Sequence, residues 1–86
     1  MASQYRVLIS RPAEKTLATT QARMRERILS AIRSLRADPR PRGCTKLTGT
    51  DDLWRIRVGD FRVIYTVRDE ELEVLVVKVA QRKDAY

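Results

Sequence analysis

The apolar positions of this chain repeat with two periods, and the change from one to the other sets out its elements. Gln4 to Ile9 (QYRVLI) is rich in aromatic and branched residues and predicts a first strand. Ser10-Arg11-Pro12 then reads as a helix start, with Ser10 as the cap and Pro12 tolerated in the first turn. That helix is short: Ala13 and Leu17 form its apolar side, and Thr19-Thr20 interrupts it. From about Gln21 to Ala37, Met24, Ile28, Ala31, Ile32 and Leu35 recur at spacings of three and four, the stripe of a second helix. Asp38-Pro39 ends it, and residues 39 to 52, with Pro41, Gly43 and Gly49, predict a loop. Alternation with a period of two follows. Leu53 to Val58 and Phe61 to Arg68 flank Gly59-Asp60, a pair suited to a two-residue hairpin turn with Gly first. Asp69-Glu70 makes the next turn, and Glu71 to Val79 is a last strand whose apolar character suggests a central place in the sheet.

The expected fold class is α+β. The order is strand, helix, helix and three antiparallel strands, with two N-terminal helices packed on one face of a small, twisted, mainly antiparallel sheet. With 86 residues the chain is long enough for one domain, 1–86, and not for two. No internal repeat, low-complexity tract or linker is present.

The hairpin turn sets a register. Val58 faces Phe61, Arg57 faces Arg62, Ile56 faces Val63 and Arg55 faces Ile64. Trp54, Ile56 and Val58 then share a face with Phe61, Val63 and Tyr65, the face that packs on the helices. Arg55, Arg57 and Arg62 emerge together on the other face, beside Ile64 and Val77, which are expected to be exposed. A slip of one residue would bury the arginines, so the pattern itself holds the register. Two charges about 6 Å apart repel by only ~0.7 kcal/mol in water. A solvated surface can carry that cost, so crowding alone does not define a site. Yet Asp60 in the turn is the only acid within the two strands, and surfaces that serve solubility usually intersperse the two signs.

Charge supports an anionic partner. Eighteen Lys and Arg against eleven Asp and Glu give a net charge of +7. Such a balance favours nucleic acid, an anionic membrane surface or an acidic protein. Fourteen of the eighteen cations are arginine, whose planar fork grips phosphate bidentately and stacks on bases. Arg23, Arg25, Arg27, Arg33 and Arg36 fall mostly off the apolar stripe of the second helix. They form either a solvated face or a guide for a large polyanion.

Several chemistries are disfavoured. There is no histidine, which removes the commonest general base and the commonest metal ligand. Cys44 is the only cysteine; it suits a reducing compartment and reads as structural. No metal and no cofactor is expected. No apolar run approaches a membrane span or a signal-peptide core, so the expected location is the cytoplasm, with no membrane association.

Arg82 follows the last strand and can fold back beside the hairpin if that strand lies next to it. Tyr86 is the final residue; it is either a frayed end or a ring that stacks on a base or handles a proton. Arginines cannot serve as acid or base, but they bind phosphates and stabilise charge developing at phosphorus. RNA supplies its own nucleophile, the 2′-hydroxyl, so transesterification to a 2′,3′-cyclic phosphate and a 5′-hydroxyl is open to such a site. Tyr86 is the one nearby group able to move a proton. A phenol is a poor base at neutral pH, although neighbouring arginines lower its pKa. Such an enzyme would depend on a partner that presents the strand in reactive geometry.

KLTG, LWRIRVGDFRVIYTV and VLVVKVAQRKDAY together resemble the RelE/ParE superfamily of bacterial toxins, most closely its RelE branch. The resemblance implies the toxin of a type II toxin–antitoxin system, a ribosome-dependent endoribonuclease (mRNA interferase) that inhibits translation. It implies as partners the ribosome with mRNA, an acidic RelB-like antitoxin that wraps the toxin, and operator DNA for the toxin–antitoxin pair. By position it assigns catalysis to Arg55, Arg57, Arg62, Arg82 and Tyr86, and RNA binding to the same four arginines with Lys83. Arg55 and Arg57 stand where well-known members carry lysine, and Gln81 where many carry histidine. Two other readings remain: a ParE-like inhibitor of DNA gyrase on the same fold, and a non-catalytic module that binds RNA or antitoxin.

Overall fold

The computed structural model describes residues 4–47, 49 and 52–82. Seven elements follow in order: β1 (Arg6–Ile9), α1 (Arg11–Thr19), α2 (Ala22–Ser34), β2 (Thr45–Lys46), β3 (Leu53–Val58), β4 (Phe61–Arg68) and β5 (Glu73–Gln81). The strands form one sheet in the order β1-β5-β4-β3-β2. β1 runs parallel to β5, and the other neighbouring pairs are antiparallel. The α+β class and the element order agree with expectation. No helix among the described residues is long and apolar enough to cross a membrane.

Both helices lie on one side of the sheet, for the reason the apolar stripes give. Ala13 and Leu17 of α1 join Ile28, Ile32 and Leu35 over Ile56, Val58, Phe61, Val63, Tyr65, Val74, Val76 and Val79. Ser10 caps α1: its Oγ accepts from the Ala13 N–H at 3.3 Å, while its hydroxyl donates to the Val77 carbonyl at 3.0 Å. One side chain thus starts the helix and docks it on β5. Thr20 closes α1 as its C-cap, and its hydroxyl donates back to the Thr16 carbonyl at 2.7 Å. Nη1 of Arg25 reaches the carbonyls of Leu17, Ala18 and Thr20 at 3.3–3.5 Å, covering the end of α1 from the first turns of α2.

Four expectations change. β2, two residues long, lies within the predicted loop; only its pairing with β3 makes it a strand. α2 stops at Ser34 rather than Ala37, where the hydrogen bonds tighten into turns. β5 runs from Glu73 to Gln81, because Asp69 to Leu72 is a wider turn that Leu72 closes at φ 51°. Finally, the middle strand is β4; β5 is interior, between β1 and β4.

Candidate anion site at the hairpin

The β3–β4 hairpin has the register that the alternation predicts: Val58 pairs with Phe61, Arg57 with Arg62, Ile56 with Val63 and Arg55 with Ile64. Gly59 takes φ 58°, a region L side chains avoid. A Cβ there would also lie 2.9 Å from Met24 Cε and 3.4 Å from Arg27 Nη1. The positive φ is what requires glycine; the tips of the Met24 and Arg27 side chains are flexible and would swing aside for a Cβ.

Arg55, Arg57 and Arg62 project from the side of the sheet away from the helices, as the register requires. Their exposure is not uniform. Arg57 is exposed, Arg55 is half-buried, and Arg62 keeps only 6% of its surface accessible. Ile64, expected to be exposed, is also buried at 6%, and Val77 is half-buried. The reason is tertiary. β4 has a strand on each side, so Arg62 sits between Arg57 and Ala80, and Ile64 sits between Arg55 and Lys78. A register shift between Ile64 and Tyr65 leaves Val77 as an extra residue in β5, and the Ser10 hydroxyl holds its carbonyl.

Arg82 joins this group through the backbone. Its N–H donates to the Asp60 carbonyl at 2.6 Å, which ties the residue after β5 to the hairpin turn. The structure therefore brings Arg55, Arg57, Arg62 and Arg82 together. Tyr86 and Lys83 lie outside the described residues.

The electrostatics of Arg62 are unusual. Its guanidinium is shifted below the ordinary arginine range, first by burial and then by the positive charges of Arg57, Arg55 and Arg82; Asp60 partly offsets this. Among the described residues, Nε and Nη1 of Arg62 are buried with no hydrogen-bond partner. Buried N–H groups are nearly always satisfied, so two orphans on one cation mark a place for an acceptor. An anion answers both demands, since it accepts from the orphaned donors and neutralises the crowded charge. The sequence named the four arginines. It placed Ile64 beside them but not its burial, and it indicated neither Ala80 nor the approach of Met24 and Arg27 to Gly59, because those depend on how elements distant in the chain dock.

At the opposite end of the sheet lies a second polar cluster. Asp69 accepts from the Tyr5 hydroxyl at 2.7 Å and takes a two-pronged contact from Arg40 at 3.0 and 2.8 Å. The Arg40 guanidinium lies 5.1 Å from the centre of the Trp54 ring. Arg40 and Tyr5 pull the Asp69 carboxyl down to about 2. Asp69 answers both the Tyr5 hydroxyl and the Arg40 fork, so the cluster reads as a clamp rather than a site.

The fold and the arginine cluster together define a small basic α+β protein with a candidate anion site on the face of its sheet away from the helices. The family model for the ParE toxin of the type II toxin–antitoxin system parDE matches residues 7–86. The archaeal RelE–RelB complex from Pyrococcus horikoshii OT3 contains a chain similar to this one, with TM-score 0.83, 34% identity and coverage of 95% of this chain and 99% of that one. The isolated Escherichia coli RelE toxin superposes with TM-score 0.78 at 25% identity, over 90% of this chain and 83% of that one. A Methanocaldococcus jannaschii protein named as a RelE1 toxin is 33% identical over 58 residues, a match spanning 64% of each, just under two thirds of that relative's length. The chain belongs to the RelE/ParE superfamily of toxins of type II toxin–antitoxin systems.

Proposed function

We propose that this toxin is a ribosome-dependent endoribonuclease that cleaves mRNA and so arrests translation. The observation that carries the reading is Arg62: a buried cation with two orphaned N–H groups, crowded by Arg55, Arg57 and Arg82. The scissile phosphate is the anion that fits it. The substrate's 2′-oxygen attacks phosphorus, the P–O5′ bond breaks, and the products are a 2′,3′-cyclic phosphate and a 5′-hydroxyl. The arginines stabilise the charge that grows on the phosphoryl oxygens. They move no proton, so the 2′-hydroxyl proton and the one gained by the 5′-oxygen fall to Tyr86 or to groups of the ribosome. Lys83 is proposed as an RNA contact beside Arg82. The ribosome supplies the strand geometry that this shallow site lacks.

The inhibitor in this reading is an acidic antitoxin of the RelB kind that wraps the toxin, and the pair binds its operator DNA in the cytoplasm. RelE–RelB complexes among the similar structures support that partnership. A second reading has one observation in its favour, since the matching family model is that of ParE. A ParE-like protein would inhibit DNA gyrase by binding and would leave RNA intact.

Induction of the toxin without antitoxin separates the two. The expected result is loss of protein synthesis, with new 5′ ends of mRNA confined to ribosome-covered regions. Continued translation with accumulating chromosome breaks would sink the nuclease reading and establish the gyrase one.

A further inference from the structure

The structure divides the four arginines of α2, with Arg36 in the turn that follows, into three groups. Arg25 is spent on the carbonyls at the end of α1. Arg33 and Arg36 flank a groove of about 480 Å³ between α2 and β1, near Tyr5 and so at the clamp end of the sheet. Arg27 belongs to neither group. Its Nη1 lies 3.4 Å from where a Gly59 side chain would begin, so its guanidinium rests against the tip of the hairpin. It is exposed, and no carboxylate among the described residues pairs with it. Arg23, also exposed, stands one turn earlier on the same stripe.

We infer that Arg27 and Arg23 continue the hairpin arginine site over the turn, forming a track for the RNA strand next to the scissile phosphate. A strand lying across the end of the hairpin meets Arg57, Arg62 and Arg82 on one side of Gly59-Asp60. It meets Arg27, then Arg23, on the other. Beside Arg27 lies a shallow depression of about 490 Å³ lined by Glu26, Ser30, Ala31 and Val58, open enough for a sugar and base to pass. This track rests on the RNA reading of the site. Its arginines bind substrate and take no part in the bond changes.

The test is binding of a single-stranded RNA oligonucleotide, 2′-O-methylated to prevent cleavage, to purified toxin across a salt series. Each phosphate neutralised on a single strand contributes about 0.7 to the slope of log affinity against log salt. Arg27→Gln is expected to lower the slope by about that amount and to weaken binding about fivefold at 0.1 M salt, the value such a slope implies. Arg23→Gln should act in the same direction. Arg33→Gln, in the last turn of α2, and Arg36→Gln, in the turn after it, remove the same charge and should leave the slope unchanged. Circular dichroism would verify that all four variants fold.

If wild type binds and Arg62→Gln weakens it, the arginine site stands as an RNA site. An unchanged slope in Arg27→Gln would then overturn the track alone. An equal fall in Arg33→Gln would also overturn it, since net charge and not position would be at work. Failure of the wild-type protein to bind at low salt would overturn the track, while the mRNA 5′ ends in induced cells decide the RNA reading independently.

Discussion

Arginine on a sheet surface ordinarily lays its stem along the strand and leaves its head in water. Arg62 cannot, because the strands on both sides of β4 wall it in and two of its donors are left without acceptors. The sequence shows that this residue shares a face with Arg55 and Arg57, and the period-two alternation is enough for that. Burial is a different property; it depends on which strand becomes the middle one, and no local pattern encodes that. The proposed role predicts a sharp functional loss with little structural change. Arg62→Ala and Arg82→Ala should each slow mRNA cleavage by about 10²–10³, the usual cost of removing one donor from a site of developing negative charge. Growth inhibition in induced cells and an antitoxin pull-down check this. Full toxicity in both variants would take the cluster out of the mechanism.

At the scale of elements, long periodic segments were legible and short ones were not. The hairpin could be read to the residue, since alternation and the Gly59-Asp60 turn demand the same register. β2 could not, because a two-residue strand exists only through its partner. The end of α1 shows the two kinds of signal meeting. Thr19-Thr20 announces the stop, but the carbonyls it leaves are covered by Arg25, eight residues beyond Leu17, which reads in sequence as one more surface cation. Arg25→Ala should therefore cost about 1 kcal/mol of stability, the order of one modest hydrogen bond. Denaturant unfolding would show a lower midpoint, while the slope of RNA affinity with salt stays at the wild-type value. An equal loss in Arg23→Ala would show that Arg25 has no special part in the corner.

Across the whole molecule the two ends of the sheet differ in their unmet needs. The clamp end joins Tyr5 before β1, Arg40 after α2, Trp54 of β3 and Asp69 after β4, with each charge answered. Because the Asp69 carboxyl is held near 2, its contribution is complete above the unfolded value near 3.9 and is lost as pH falls through about 2. The pair is solvent-facing, so the effect should be modest and should shrink in high salt. Comparing wild type with Asp69→Asn from pH 5 to pH 2, the gap between unfolding midpoints is expected to narrow. A constant gap would mean that the carboxylate's charge plays no part in holding the clamp. At the arginine end, Nε and Nη1 of Arg62 are left without acceptors among the described residues. The sequence by itself determined the helices, the hairpin register, the basic charge and the family, because each rests on local periodicity or on runs of neighbouring residues. Tertiary structure alone decided that β4 lies at the centre, that Arg62 is buried, and that Arg27 reaches the hairpin. Those facts depend on the packing of segments tens of residues apart, and packing is what makes an ordinary surface arginine into a buried cation with two unanswered donors.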